Sequence, residues 1–158
     1  MIYKAIKLIR RALMKWPTEV LYFPLVAKTY PSWAICLQQE QLSAMPEGSL
    51  GNCLLNFITK NNLPLTKGAE LHDAKHVLLN YGIEFEDEIK MQYFELGNGN
   101  HSLPVWIVII AGTLLAPEFI PEFSAAYNRG KSNRPLTTGF LIENITSDLV
   151  QLKNNLIL

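Results

Sequence analysis

Charge is scarce in this sequence. Asp, Glu, Lys and Arg make up 18% of the residues, and acids and bases number 14 each. Soluble proteins carry about 25%, so some apolar surface is expected to remain for a lipid or a partner. The zero balance provides no overall steering towards a polyanion, and no nucleic-acid partner is expected. Cysteine is scarce too. Cys36 and Cys53 form no Cys-x-x-Cys pair and no zinc spacing, and their apolar neighbours suit buried, reduced thiols of a cytosolic protein. The sequence has no Gly-rich phosphate loop, no Gly-x-Ser-x-Gly elbow and no cysteine placed as a nucleophile. Period-two alternation, internal repeats and low-complexity stretches are missing. The longest apolar run, Val105 to Ala116, lies between Pro104 and Pro117. As a helix it would span about 18 Å, too short for about 30 Å of hydrocarbon. Charges interrupt every apolar stretch before residue 16, which does not fit a secretory signal. Without an export signal, the acceptor-like Asn144-Ile145-Thr146 is expected to be coincidental.

What remains is helical in pattern. Over residues 2–16, Ile2, Ile6, Ile9, Leu13 and Trp16 share one face, and Lys4, Lys7, Arg11 and Lys15 share the other. That basic stripe is either a solvated surface or an interfacial helix facing anionic lipid. Short helices are predicted over 18–28 and 32–41. Ser49 is the expected N-cap of a helix bearing Leu50, Leu54, Phe57 and Ile58, which ends at Asn61-Asn62-Leu63-Pro64. A helix over 67–80 follows, capped by Thr66 and closed by Gly82 as its C′ residue. The next runs from an acidic first turn, Glu84 to Glu88, to Leu96. The 105–116 helix is either a buried core helix or one wall of an apolar lipid tunnel. A helix from Glu118 through Tyr127 tolerates Pro121 in its first turn. A basic loop with Arg129, Lys131 and Arg134 comes next, either solvated or meeting a headgroup. A last helix is predicted over 144–154. The expected architecture is all-α, a single-domain bundle of seven to nine helices spanning residues 1–158.

The chemistry gathers at His72-Asp73-x-x-His76, followed eleven residues later by Glu88. At about 100° per residue, His72, Asp73 and His76 share one arc of about 100° on a helix. After the break at Asn80-Tyr81-Gly82, a second helix can return Glu88 to them. Imidazole and carboxylate together suit a divalent metal. Alternatively, the histidines hydrogen-bond carboxylates without metal or lie on the surface. The pattern is related to the His-Glu-x-x-His of zinc hydrolases, so a generic metallohydrolase is also open. His72, His76 and Glu88 would ligate. Asp73 would ligate, accept a proton or orient an imidazole.

The same four residues at this spacing resemble the hallmark of the fourth coenzyme Q biosynthesis protein family. Met45-Pro46-Glu47-Gly48-Ser49-Leu50-Gly51 is similar to that family's turn ahead of the motif. Ala126-Tyr127-Asn128-Arg129-Gly130-Lys131 resembles its segment near the C-terminus. Glu88-x-x-x-Gln92-x-Phe94-Glu95 resembles the helix after its glutamate. Asp87 departs from the pattern, which often has Gly there. The resemblance, to a short bacterial-type member, implies an α-helical fold and a divalent metal usually taken as zinc. It implies protein held peripherally at a membrane, here expected on the cytoplasmic side; in the enzyme reading His72 and Asp73 are the expected catalytic residues. Expected partners are a polyprenylated quinone precursor or prenyl lipid, quinone-biosynthetic enzymes and a second copy of the chain. The implied role is oxidative decarboxylation at ring carbon 1 of a prenylated hydroxybenzoate, or scaffolding of the biosynthetic enzymes.

Overall fold

The computed structural model describes residues 9, 10, 12, 38–65 and 69–156. Most of the predicted helices over 2–16 and 32–41, all of that over 18–28, the Thr66 cap and Cys36 lie outside those residues. Eight α-helices follow one another in the described chain: α1 (Gln39–Ser43), α2 (Leu50–Lys60), α3 (Glu70–Leu79), α4 (Phe85–Gly97), α5 (Leu103–Leu115), α6 (Ile120–Lys131), α7 (Thr138–Glu143) and α8 (Leu149–Leu156). A 3-10 turn, Pro117–Phe119, precedes α6. There is no strand among the described residues, and one isolated bridge joins Ser49 to Asp148. The all-α expectation therefore holds.

The chain divides into two compact units. One comprises Gly82–Lys131 with the described residues of Met1–Tyr30, and the other comprises Pro31–Tyr81 and Ser132–Leu158. In the first, α4 packs on both α5 and α6. Phe85, Ile89, Val108, Ala116 and Phe123 form its apolar centre. Tyr93 stacks on Phe123 with ring centroids 5.2 Å apart, and its hydroxyl meets Thr113 Oγ1 at 2.8 Å. In the second unit, α3 packs on α2, α7 and α8.

Ser49 caps α2 as predicted, its Oγ accepting the Asn52 N–H at 3.2 Å. Leu50, Leu54 and Ile58 follow on the buried face. The 45–51 turn holds α2 against the C-terminal segment through Leu50 N–H to Ser147 O at 3.0 Å and Leu149 N–H to Gly48 O at 2.9 Å.

Four predicted boundaries differ. The left-handed residue after α3 is Asn80 (φ 61°), not Gly82. Asn tolerates that conformation because its short amide bonds locally, and Tyr81 N–H closes on His76 O at 3.0 Å. The 105–116 helix starts earlier, at Leu103, with Pro104 in its first turn. It is buried on one face only: Val105, Val108, Ile109 and Gly112 are covered, whereas Leu103, Trp106, Ile110 and Leu114 are exposed. The predicted basic loop begins late, since Arg129 and Lys131 form the last turn of α6, where cations suit the helix dipole. Finally, the predicted 144–154 helix is interrupted. Its first residues form a turn, in which Ser147 N–H bonds Asn144 O at 3.0 Å, and α8 begins at Leu149.

Among the described residues no single helix is long and apolar enough to cross a membrane.

Candidate metal centre

The centre is built on α3. Helical spacing sets His72 and His76 one turn apart with Asp73 beside them. One ligand atom from each of the three lies within 4.8 Å of the others. His72 Nε2 and His76 Nε2 are 3.2 Å apart. That is close to the ~3.3 Å between two nitrogens held at about 2.0–2.1 Å around a tetrahedral cation. It also allows the imidazoles to share one proton. The donor set, two imidazole nitrogens and a carboxylate, thus fits a divalent cation.

Packing holds the His76 ring in place. His76 is buried, while His72 and Asp73 are half-buried. Phe57 of α2 stacks on the His76 ring at 5.6 Å and 17° between planes, and the His72 ring meets it edge-on at 4.9 Å. The centre therefore has one wall sealed by apolar packing and an approachable side at His72 and Asp73.

Glu88 belongs to the other unit, half-buried in the first turn of α4 beside Glu86 and Asp87. Three of the four predicted ligands are thus gathered within one unit. Asp87, the departure from the family pattern, pairs with Lys90 Nζ at 3.1 Å. The three predicted headgroup residues are all exposed. The Arg129 guanidinium lies over the Phe94 ring at 5.5 Å and the Lys131 ammonium over the Tyr127 ring at 5.8 Å. At i, i+2 on α6 these two cations do not face one another. Arg134 lies in the other unit, its N–H bonded to Leu156 O at 2.9 Å.

Sequence reading assigned no site role to three further residues. Phe57 supports the His76 ring from a different helix, which spacing along one helix cannot reveal. Gln92 and Glu95 are buried polar residues of α4, at 2% and 6% exposure. Their signal was positional, because both fall on the Glu88 side of the helix.

These features define a class: an all-helical protein with a histidine–carboxylate cluster on a buried helix. No family model and no curated protein matches the chain. Solved structures do match it. One is a Nostoc punctiforme PCC 73102 protein named, provisionally, for ubiquinone biosynthesis. Its likeness has a TM-score of 0.62 at 16% identity and covers 93% of this chain and 80% of that one. At that identity the fold is what is shared.

Proposed function

We propose that this protein binds a divalent metal, zinc by preference, through His72, Asp73, His76 and Glu88, and works on a prenylated aromatic acid in quinone biosynthesis. The observation that carries the reading is the convergence of His72 Nε2 and His76 Nε2 at 3.2 Å with Asp73 alongside. The resemblance of the motif and the shared helical fold support the pathway. A bound cation would polarise a carboxylate or phenolic oxygen and stabilise negative charge as a carboxyl group leaves. Asp73 would accept the proton released, and His72 would orient the oxygen being handled. The reaction breaks the bond from ring carbon 1 to the carboxyl group and releases carbon dioxide. It places a water-derived hydroxyl on that carbon, while two electrons and two protons pass to an oxidant such as dioxygen. The protein would do this at a membrane surface, where its lipid partner resides.

A second reading keeps the metal as a structural clamp and makes the protein a lipid-binding scaffold for the other enzymes of the pathway. The exposed apolar residues of α5, with Leu114 at 78% exposure, favour it as a surface for a lipid, an enzyme partner or a second copy. Arg129, Lys131 and Arg134 would contribute headgroup contacts.

Metal analysis of purified protein tests the common premise. Stoichiometric zinc is expected in the wild type, with loss in His76→Ala and at least tenfold weaker binding in Glu88→Gln. Unchanged affinity in Glu88→Gln would remove Glu88 from the ligand set. Carbon dioxide released from a geranyl-substituted 4-hydroxybenzoate, dependent on metal and oxygen, supports the enzyme. Metal-loaded protein that binds this compound and returns it unaltered supports the scaffold.

A further inference from the structure

The Gln92 side chain has no obvious structural duty. It is 2% exposed, and its Oε1 is buried with no hydrogen-bond partner among the described residues. Leaving an amide oxygen dry and unpaired is costly, and Leu or Met would fill a similar volume without that cost. Its position is informative. Glu88, Gln92 and Glu95 lie within about 60° of one another around α4, at the i, i+4 and i+7 spacing of one continuous face. Glu95 is buried too, its Oε2 accepting the Asn100 Nδ2–H at 2.6 Å. An unpaired acceptor therefore sits between two carboxylates, one turn from the expected metal ligand Glu88.

The unmet requirement is for a hydrogen-bond donor. A prenylated aromatic acid carries three kinds of group. The ionised carboxylate cannot donate a hydrogen bond. The prenyl tail has no polar hydrogen. Only a ring hydroxyl can donate to it. We infer that Gln92 is a specificity-determining residue whose Oε1 accepts a hydrogen bond from the substrate's ring hydroxyl. This inference rests on the substrate class proposed above.

The experiment compares wild type with Gln92→Met, both zinc-loaded, using calorimetric titration and thermal melting. The probes are a geranyl-substituted 4-hydroxybenzoate and its counterpart lacking the ring hydroxyl. Wild type is expected to prefer the hydroxylated probe about tenfold. The variant should bind both alike, mainly through loss of the hydroxylated one, with zinc content unchanged. Without probe, the variant should melt about 2–4 °C higher, because a costly unpaired amide has gone. A variant that melts lower would show the amide already paired and overturn the inference. A variant that still prefers the hydroxylated probe would do the same while leaving the substrate class intact. Wild type that binds neither probe overturns the substrate class itself, and this inference with it.

Discussion

Two rings restrain the His76 imidazole: Phe57 covers its face and His72 meets its edge. A proposed ligand held in this way would lose little freedom on binding a cation, so part of the cost of assembling the site would be met by folding. Phe57→Ala should therefore leave every ligand present yet weaken zinc binding by roughly tenfold, since residues that orient a ligand matter almost as much as the ligand. Competition with a fluorescent chelator checks this, and full wild-type affinity would show the stacking to be incidental. The histidines were legible in the sequence because their spacing matches a helical turn. Phe57 was not, because its relation to His76 exists only once α2 lies against α3. Ser49 was legible for the opposite reason, since a cap acts within its own helix. Ser49→Ala is expected to cost about 1 kcal/mol, read as a lower urea midpoint at unchanged slope.

Helices α4 and α6 approach through two glycines. A Cβ on Gly97 would collide with the Tyr127 carbonyl, and one on Gly130 with the Phe94 carbonyl. Asn98 Nδ2–H bonds Gly130 O at 3.0 Å across the same contact. In both cases the obstacle is backbone, so no side-chain rotation can relieve it. Gly97→Ala or Gly130→Ala is expected to destabilise by the ~1–3 kcal/mol of an overpacked core or more, measured by denaturant titration. Wild-type stability in either variant would mean that the helices can slide apart cheaply. In sequence, Gly97 reads as part of a turn and Gly130 as part of a basic loop, because glycine ordinarily ends helices. Inside a tight crossing, the missing side chain is what allows the helix to continue, and α6 runs on to Lys131.

The proposed metal binding would be linked to folding, because a cation that binds only the native protein stabilises it. Zinc at a hundred times its Kd is expected to add about 2.7 kcal/mol, a rise in Tm of about 5–10 °C. A chelator should reverse the rise, and His76→Ala should not show it. Equal melting with and without zinc in the wild type would refute the linkage. Acid should act weakly through the ion pair of Glu118 with Arg10. The Glu118 carboxyl is held below the usual carboxylate range, first by its own backbone N–H and then by Arg10. Its contribution is thus present above the unfolded-state pKa and lost as pH falls through the lower, folded one. Because the group is exposed and salt screens such pairs, Glu118→Gln should shift acid unfolding only slightly, and not at all in high salt. The helical class and the grouping of His72, Asp73 and His76 followed from periodicity alone, since both depend on residues within one or two turns. The face that α5 buries, the ring that steadies His76 and the glycine crossing of α4 with α6 came from contacts between residues far apart in the chain. Such contacts form only when side-chain volumes are fitted against one another in three dimensions, and no periodicity along a single helix encodes them.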